Sequence, residues 1–220
     1  MKIVFLTEDN FQDSIGGIEQ HVLYLSRELA KKKCNIYILS LQTGKKNSYQ
    51  KKFISIRGHK NNICLIKIIK KSILHKILIK LKKKFNNQLL MFFELLLKLL
   101  PNFYFKTIVN EVKKINPDIV HQHDYLSSII SSKILSKTKK ILFTNHTGQY
   151  LYLEKNYLSK LIQKYLICHF DYIIAPSLEL KPKMKNSKFI PNGVDVSFFN
   201  GKKIKNNKKI IFICARRWAP

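Results

Sequence analysis

The chain has 220 residues and is 45% apolar, which supplies the core of one α/β domain and excludes a chain disordered throughout. Lysine and arginine number 41 against 13 aspartates and glutamates, a formal charge of +28; that field attracts phosphate in any form, although lysine, isoleucine and asparagine abound everywhere, as AT-rich codons would make them. The four cysteines, Cys34, Cys64, Cys168 and Cys214, are widely spaced with no C-x-x-C pair, which argues against a disulfide framework or a zinc site and for reduced thiols in a cytosolic protein.

Ile3 to Leu6 is a short apolar run that ends in Thr7-Glu8-Asp9-Asn10. It predicts a buried first strand and is too short for the core of a signal peptide. A loop reaches Gly16-Gly17, and Val22, Leu23, Leu25, Ser26 and Leu29 then mark one face of a helix that ends in Lys31-Lys32-Lys33, where cations suit the negative helix end. Asn35 to Leu41 predicts a second strand. This β-loop-α-β opening is the unit of a parallel sheet covered by helices.

Residues 60–105 break the alternation. Ile66, Ile69, Ile73 and Ile77 recur at helical spacing, with Lys67, Lys70, Lys71, Lys76 and Lys80 between them. The pattern predicts a basic amphipathic helix over 63–84, suited either to an anionic membrane surface or to covering the sheet. The following run, Leu89 to Leu100, contains Glu94 and Lys98 and falls short of the ~18 to 20 residues of a membrane-spanning helix.

Further strands are predicted at Asp118–His121, Lys140–Thr144, Asp171–Ala175 and Lys188–Ile190, with helices at Leu126–Ser136 and Leu153–Cys168. The alternation predicts an α/β fold with a doubly wound, mostly parallel, Rossmann-like sheet, whose ligands gather at the carboxyl ends of the strands. Asn200 to Lys209 reads as a linker, and Ile210 to Ile213 starts a new strand.

Candidate chemistry lies at the element ends. Gly16 and Gly17 precede a helix amino end suited to a phosphate, but the motif is neither G-x-G-x-x-G nor a P-loop. Val120-His121-Gln122-His123-Asp124 and Thr144-Asn145-His146-Thr147 both follow strands. His121, His123 and His146 carry metal-binding nitrogens, but no carboxylate spacing completes a ligand set, so no metal is expected. These residues, His123 and Asn145 among them, instead bind a hydroxylated or phosphorylated ligand or brace the loops. Pro191-Asn192-Gly193 is a turn, and Arg216-Arg217 after the last strand can grip a diphosphate or stand as a surface basic pair.

Taken in order, Gly16 to Val22, Pro117 to His123, Thr144 to His146, Ile190 to Asp195 and Ala215 to Pro220 resemble the motifs of the family-four glycosyltransferases. The resemblance implies one half of a GT-B fold, transferring a sugar from a nucleotide-sugar donor to a glycan or lipid-linked acceptor with retention. It implies neither metal nor organic cofactor. His146 would be the catalytic residue beside the reacting sugar, Gly16 and Gly17 would approach donor diphosphate and acceptor, and Arg216 would bind the diphosphate. Lys33 stands where that family usually has glycine, and Cys214-Ala215 replace the commoner V-G before the arginine.

The same resemblance implies an acceptor-side domain over 1–199, a linker over 200–208 and the first strand of a donor-binding domain over 209–220. The acidic motif of that second domain lies beyond Pro220, so the chain is expected to be inactive alone. Its expected place is the cytoplasm, peripheral on the inner face of the cell membrane. Two other readings are a non-catalytic membrane-peripheral module for anionic lipid or glycan and a basic nucleic-acid-binding protein. The latter lacks any helix-turn-helix, zinc or RNA-binding signature, so nucleic acid is not an expected partner.

Overall fold

Strand β1 (Lys2–Thr7) is central, and its side chains are buried on both faces from Ile3 to Thr7. A strand covered on both faces reads as an unbroken apolar run, as this one does. The computed structural model describes residues 1–8, 16–56, 59–82, 97, 99–124, 126–146, 151 and 157–193. Helix α1 (Gly17–Lys31) follows β1 and returns the chain to β2 (Asn35–Gly44), which pairs parallel with β1 from Lys2↔Asn35 to Thr7↔Ser40.

The end of α1 explains its basic tail. The amide of Lys33 bonds to the carbonyl of Ala30, and that of Cys34 to Leu29. This pair of hydrogen bonds is a Schellman motif. It places Lys33 in the left-handed region at φ 63°, where the family-four pattern usually has glycine.

The chain then departs from the predicted amphipathic helix. β3 (Ser48–Ile56) and β4 (His59–Lys71) form an antiparallel hairpin, and β4 pairs parallel with β2 from Ile36↔Ile63 to Gly44↔Lys71. Residues 63–71 are therefore strand, not helix. Ile63, Cys64, Leu65, Ile66 and Ile68 are buried. β-branched residues suit a pleated surface, and a strand buried on both faces also shows apolar residues three apart, so the spacing was ambiguous. Helix begins only after Ser72, as α2 (Ile73–Lys82). Most of the run from Leu89 to Leu100 lies outside the described residues. Leu100–Tyr104 is a short 3-10 turn leading into α3 (Phe105–Ile115), whose Ile108, Val109 and Val112 are buried. Asn116 ends α3 at φ 49°, a left-handed position that asparagine tolerates, and Pro117 bars the helix from continuing.

The remaining strands fall close to their predicted places: β5 (Ile119–Gln122), β6 (Lys140–Thr144), β7 (Tyr172–Ala175) and β8 (Ser187–Phe189). Helix α4 (Ile129–Leu135) is shorter than expected, and α5 (Tyr157–Ile167) joins β6 to β7. The sheet order is β3-β4-β2-β1-β5-β6-β7-β8, parallel except for β3. The predicted linker, the strand at 210–213 and Arg216 lie outside the described residues.

Core side chains divide between the two faces of the sheet. Ile3, Phe5, Ile36 and Ile38 pack with Val22 and Ala30 of α1. Val4, Leu6, Leu39, Val120, Ile141 and Phe143 pack with Ile108 and Val112 of α3 and with Leu135 of α4. The alternation along β1 is the strand period of two. Cys34, Cys64 and Cys168 are unpaired. Among the described residues, no helix is long and apolar enough to cross a membrane.

Candidate functional site

The strand order reverses at β1. From it the chain moves to β2 on one side, and later to β5 and β6 on the other. Such a switch point opens a crevice at the carboxyl ends of the strands, because the connections leave on opposite faces. β5 delivers His121, Gln122, His123 and Asp124 to this edge. β6 delivers Thr144, Asn145 and His146. The amide of His123 bonds to the carbonyl of Leu6 at 2.9 Å, extending the β1–β5 register one residue past the strand.

Here the imidazoles gather. Nδ1 of His123 lies 3.1 Å from Nε2 of His146, and their rings stack at 5.4 Å between centroids. His21, from α1, meets the His146 ring edge-on at 4.7 Å and the His123 ring at 5.6 Å. His121 lies behind His123, at 4.2 Å between centroids. Its Nε2 is hydrogen-bonded to Oγ1 of Thr144 at 2.7 Å. Phe5 floors the group, packing against the rings of His121 and His123.

Burial holds these rings neutral. Desolvation, followed by the repulsion of neighbouring imidazoles, lowers His121 to about 3 and His146 to about 4. The same causes put His123 well below its ordinary value, and burial lowers His21. At neutral pH each ring therefore carries one donor and one acceptor nitrogen, and only the partly exposed His21 and His146 can turn theirs toward a hydroxylated ligand.

His123 and His146 thus come together as expected. Asn145 is adjacent but turned away, its Nδ2 donating to the carbonyl of Leu180 at 2.9 Å. It ties the β6 end to the segment before β8, so the loop-bracing reading describes its amide. Gln122 and Asp124 also brace: Gln122 accepts from the Ser132 hydroxyl and donates to the Asp124 carbonyl, and Asp124 accepts from the Ser128 amide.

Gly16 and Gly17 differ from each other. Gly16 is the N-cap of α1. A Cβ built on it would stand 2.0 Å from Oε2 of Glu19, whereas one on Gly17 would meet nothing within 4 Å. The buried Glu19 carboxylate therefore already lies over the helix amino end, and the open approach is at Gly17.

His21 was missed as a site residue. Its signal was present: it lies four residues after Gly17, one turn along the same helix face. The histidine trio that meets is His21, His123 and His146, whose ligand nitrogens lie within 4.8 Å of one another, and not the trio with His121.

A family model described as Glycosyltransferase Family 4 matches residues 15–198. No curated protein sequence matches the chain. Sucrose-phosphate synthase from Thermosynechococcus elongatus superposes with a TM-score of 0.57 at 14% identity, over 89% of this chain and 49% of that one. The catalytic domain of Starch Synthase IV from Arabidopsis thaliana, bound to ADP and acarbose, gives 0.52 at 12% identity, over 90% and 52%. The chain spans about half the length of these two structures. At such identity the likeness is one of fold, and the fold is that of one half of a GT-B glycosyltransferase.

Proposed function

The chain belongs to Glycosyltransferase Family 4, and from that premise we propose that residues 1–199 form the acceptor-side wall of a retaining sugar-transfer site. The donor is a nucleotide sugar and the acceptor a glycan or a lipid-linked sugar. A donor-binding domain, reached through the linker at 200–208 and opened by residues 209–220, supplies the opposite wall, and Arg216 there contacts the diphosphate. The observation that carries this reading is His146, only partly buried at the crevice of the sheet's switch point and held nitrogen to nitrogen against His123. Its nitrogen can hold a hydroxyl of the reacting sugar while the open flank of Gly17 admits the diphosphate or the acceptor. His123 sets the angle of the His146 ring through the facing nitrogens. No resident metal or organic cofactor takes part. Positive groups offset the charge on the departing diphosphate as the sugar gains oxocarbenium character.

The test is a transfer assay on the chain joined to its donor-binding domain, with a panel of nucleotide sugars and a lipid-linked acceptor. His146→Ala is expected to lower kcat by roughly 10²- to 10³-fold, the loss seen when one preorganised polar group is removed from a transition state. An unchanged kcat overturns the role of His146, and an inverted anomer in the product overturns retention. The 220-residue chain alone is expected to show no turnover, because positioning needs both walls of the cleft.

The lipid-linked acceptor and a peripheral membrane location draw on a second observation. α2 exposes Ile73, Leu74 and Ile77 beside the exposed Lys76 and Lys80. Apolar side chains entering a bilayer interface with lysines on anionic head groups account for such a face. Of the predicted membrane segment 63–84, this leaves α2, since the buried part of β4 is not available. In flotation, Lys76→Glu/Lys80→Glu is expected to release the protein from phosphatidylserine vesicles. Equal flotation of both forms excludes the contact. Nucleic acid is not a partner in this reading.

A further inference from the structure

We propose that His21, His123 and His146 form a binding site for a divalent transition-metal ion of the zinc class, with its fourth position open. The three side chains come from separate elements: α1, the end of β5 and the end of β6. Their ligand nitrogens nonetheless lie within 4.8 Å of one another. The closest pair, at 3.1 Å, is near the roughly 3.3 Å that separates two nitrogens on one tetrahedral zinc with bonds of about 2.0–2.1 Å. The remaining nitrogens, up to 4.8 Å apart, would close by about 1.5 Å to reach that separation, a movement required of the partly exposed His21.

The donor set selects the ion. Three imidazoles without a carboxylate suit zinc, cobalt, nickel or copper and do not suit magnesium or calcium, which take oxygen ligands. The proton shared between His123 Nδ1 and His146 Nε2 moves to the far nitrogen of the same ring. His121 stays outside the set, its Nε2 engaged by Thr144, and backs the His123 ring. The ion would be an inhibitor and not a cofactor, since it breaks the His123–His146 contact that sets the ring angle in the proposed sugar site. That consequence rests on the proposed function; the binding itself does not.

The test is titration of the 220-residue chain with Co²⁺, read by visible absorption without any sugar substrate. One equivalent is expected to bring up the intense bands of a four-coordinate cobalt ion, and Zn²⁺ to bleach them, while Mg²⁺ leaves them unchanged. His21→Ala and His146→Ala each remove one ligand. Each is expected to weaken binding by more than the roughly 10- to 100-fold that loss of an outer-shell partner costs. His169→Ala, outside the cluster, retains the bands. Circular dichroism of each variant keeps misfolding apart from ligand loss, and both test positions are partly exposed. Absence of the bands in the wild type, or their persistence in both His21→Ala and His146→Ala, overturns the site. Neither result bears on sugar transfer, which the kinetic assay reads separately.

Discussion

His123 and His146 face each other nitrogen to nitrogen at 3.1 Å, although 23 residues separate them in the chain. Both sit where burial lowers the imidazole pKa, with His121 behind them and His21 beside them. The unfolded chain takes up protons as pH falls through about 6.5, whereas the folded rings stay neutral down to about 4 for His146 and about 3 for His121. Between those limits the unfolded state binds more protons, so stability is fully present above about pH 6.5 and is lost as pH falls below it. The slope is about 1.4 kcal/mol per pH unit for each ring that stays neutral. Urea midpoints are expected to drop steeply between about pH 6.5 and 4. A flat profile would show that the rings are solvated.

Gly16 is small because Glu19 folds back over it. With 2.0 Å from a Cβ at this position to Oε2, a methyl group fits only if the Glu19 carboxylate moves aside. Gly16→Ala is expected to cost about 1 kcal/mol or less, because the contact is with the far end of the flexible Glu19 side chain, which can swing aside. Part of the cost is relieved in the Glu19→Ala background, giving a coupling energy of about 0.5–1 kcal/mol in a double-mutant cycle. Strictly additive substitutions would mean that Gly16→Ala acts only by making a poorer N-cap.

Lys33 holds a left-handed conformation, φ 63°, to close the Schellman motif after α1. Glycine adopts this conformation without the Cβ clash, a difference of about 1 kcal/mol. Lys33→Gly is therefore expected to raise Tm by roughly 2–4 °C for a domain of this size. A fall in Tm by calorimetry would show that the Lys33 side chain contributes more than its backbone strain costs.

Thr144 anchors His121 through a 2.7 Å bond in the buried layer beneath the site. Thr144→Val keeps the shape and removes the hydroxyl. It leaves a buried ring nitrogen unpartnered, at an expected cost of about 1–3 kcal/mol in denaturant unfolding. A loss below about 0.5 kcal/mol would show that His121 finds another partner.

The sequence by itself determined the sheet's centre and its chemistry-bearing edge. β1, β2, β5, β6 and β7 are apolar runs that end in polar residues, and Lys140–Thr144 is strand over the residues predicted. The central strand β1 is buried on both faces and the others on at least one, so their apolar runs are local signals. His123 and His146 were legible because each stands just past such a run. Tertiary structure alone decided the rest. Ile66 and Ile69 satisfy a helical spacing as readily as a buried strand, and only pairing of β4 with β2 selects the strand. His21 and His146 are far apart in the chain, and no spacing tells which histidine reaches which. They meet because β1, β5 and β6 are adjacent in parallel register while α1 starts above the end of β1. Sequence periodicity encodes which face of an element is apolar; the order of strands in the sheet sets which element ends become neighbours.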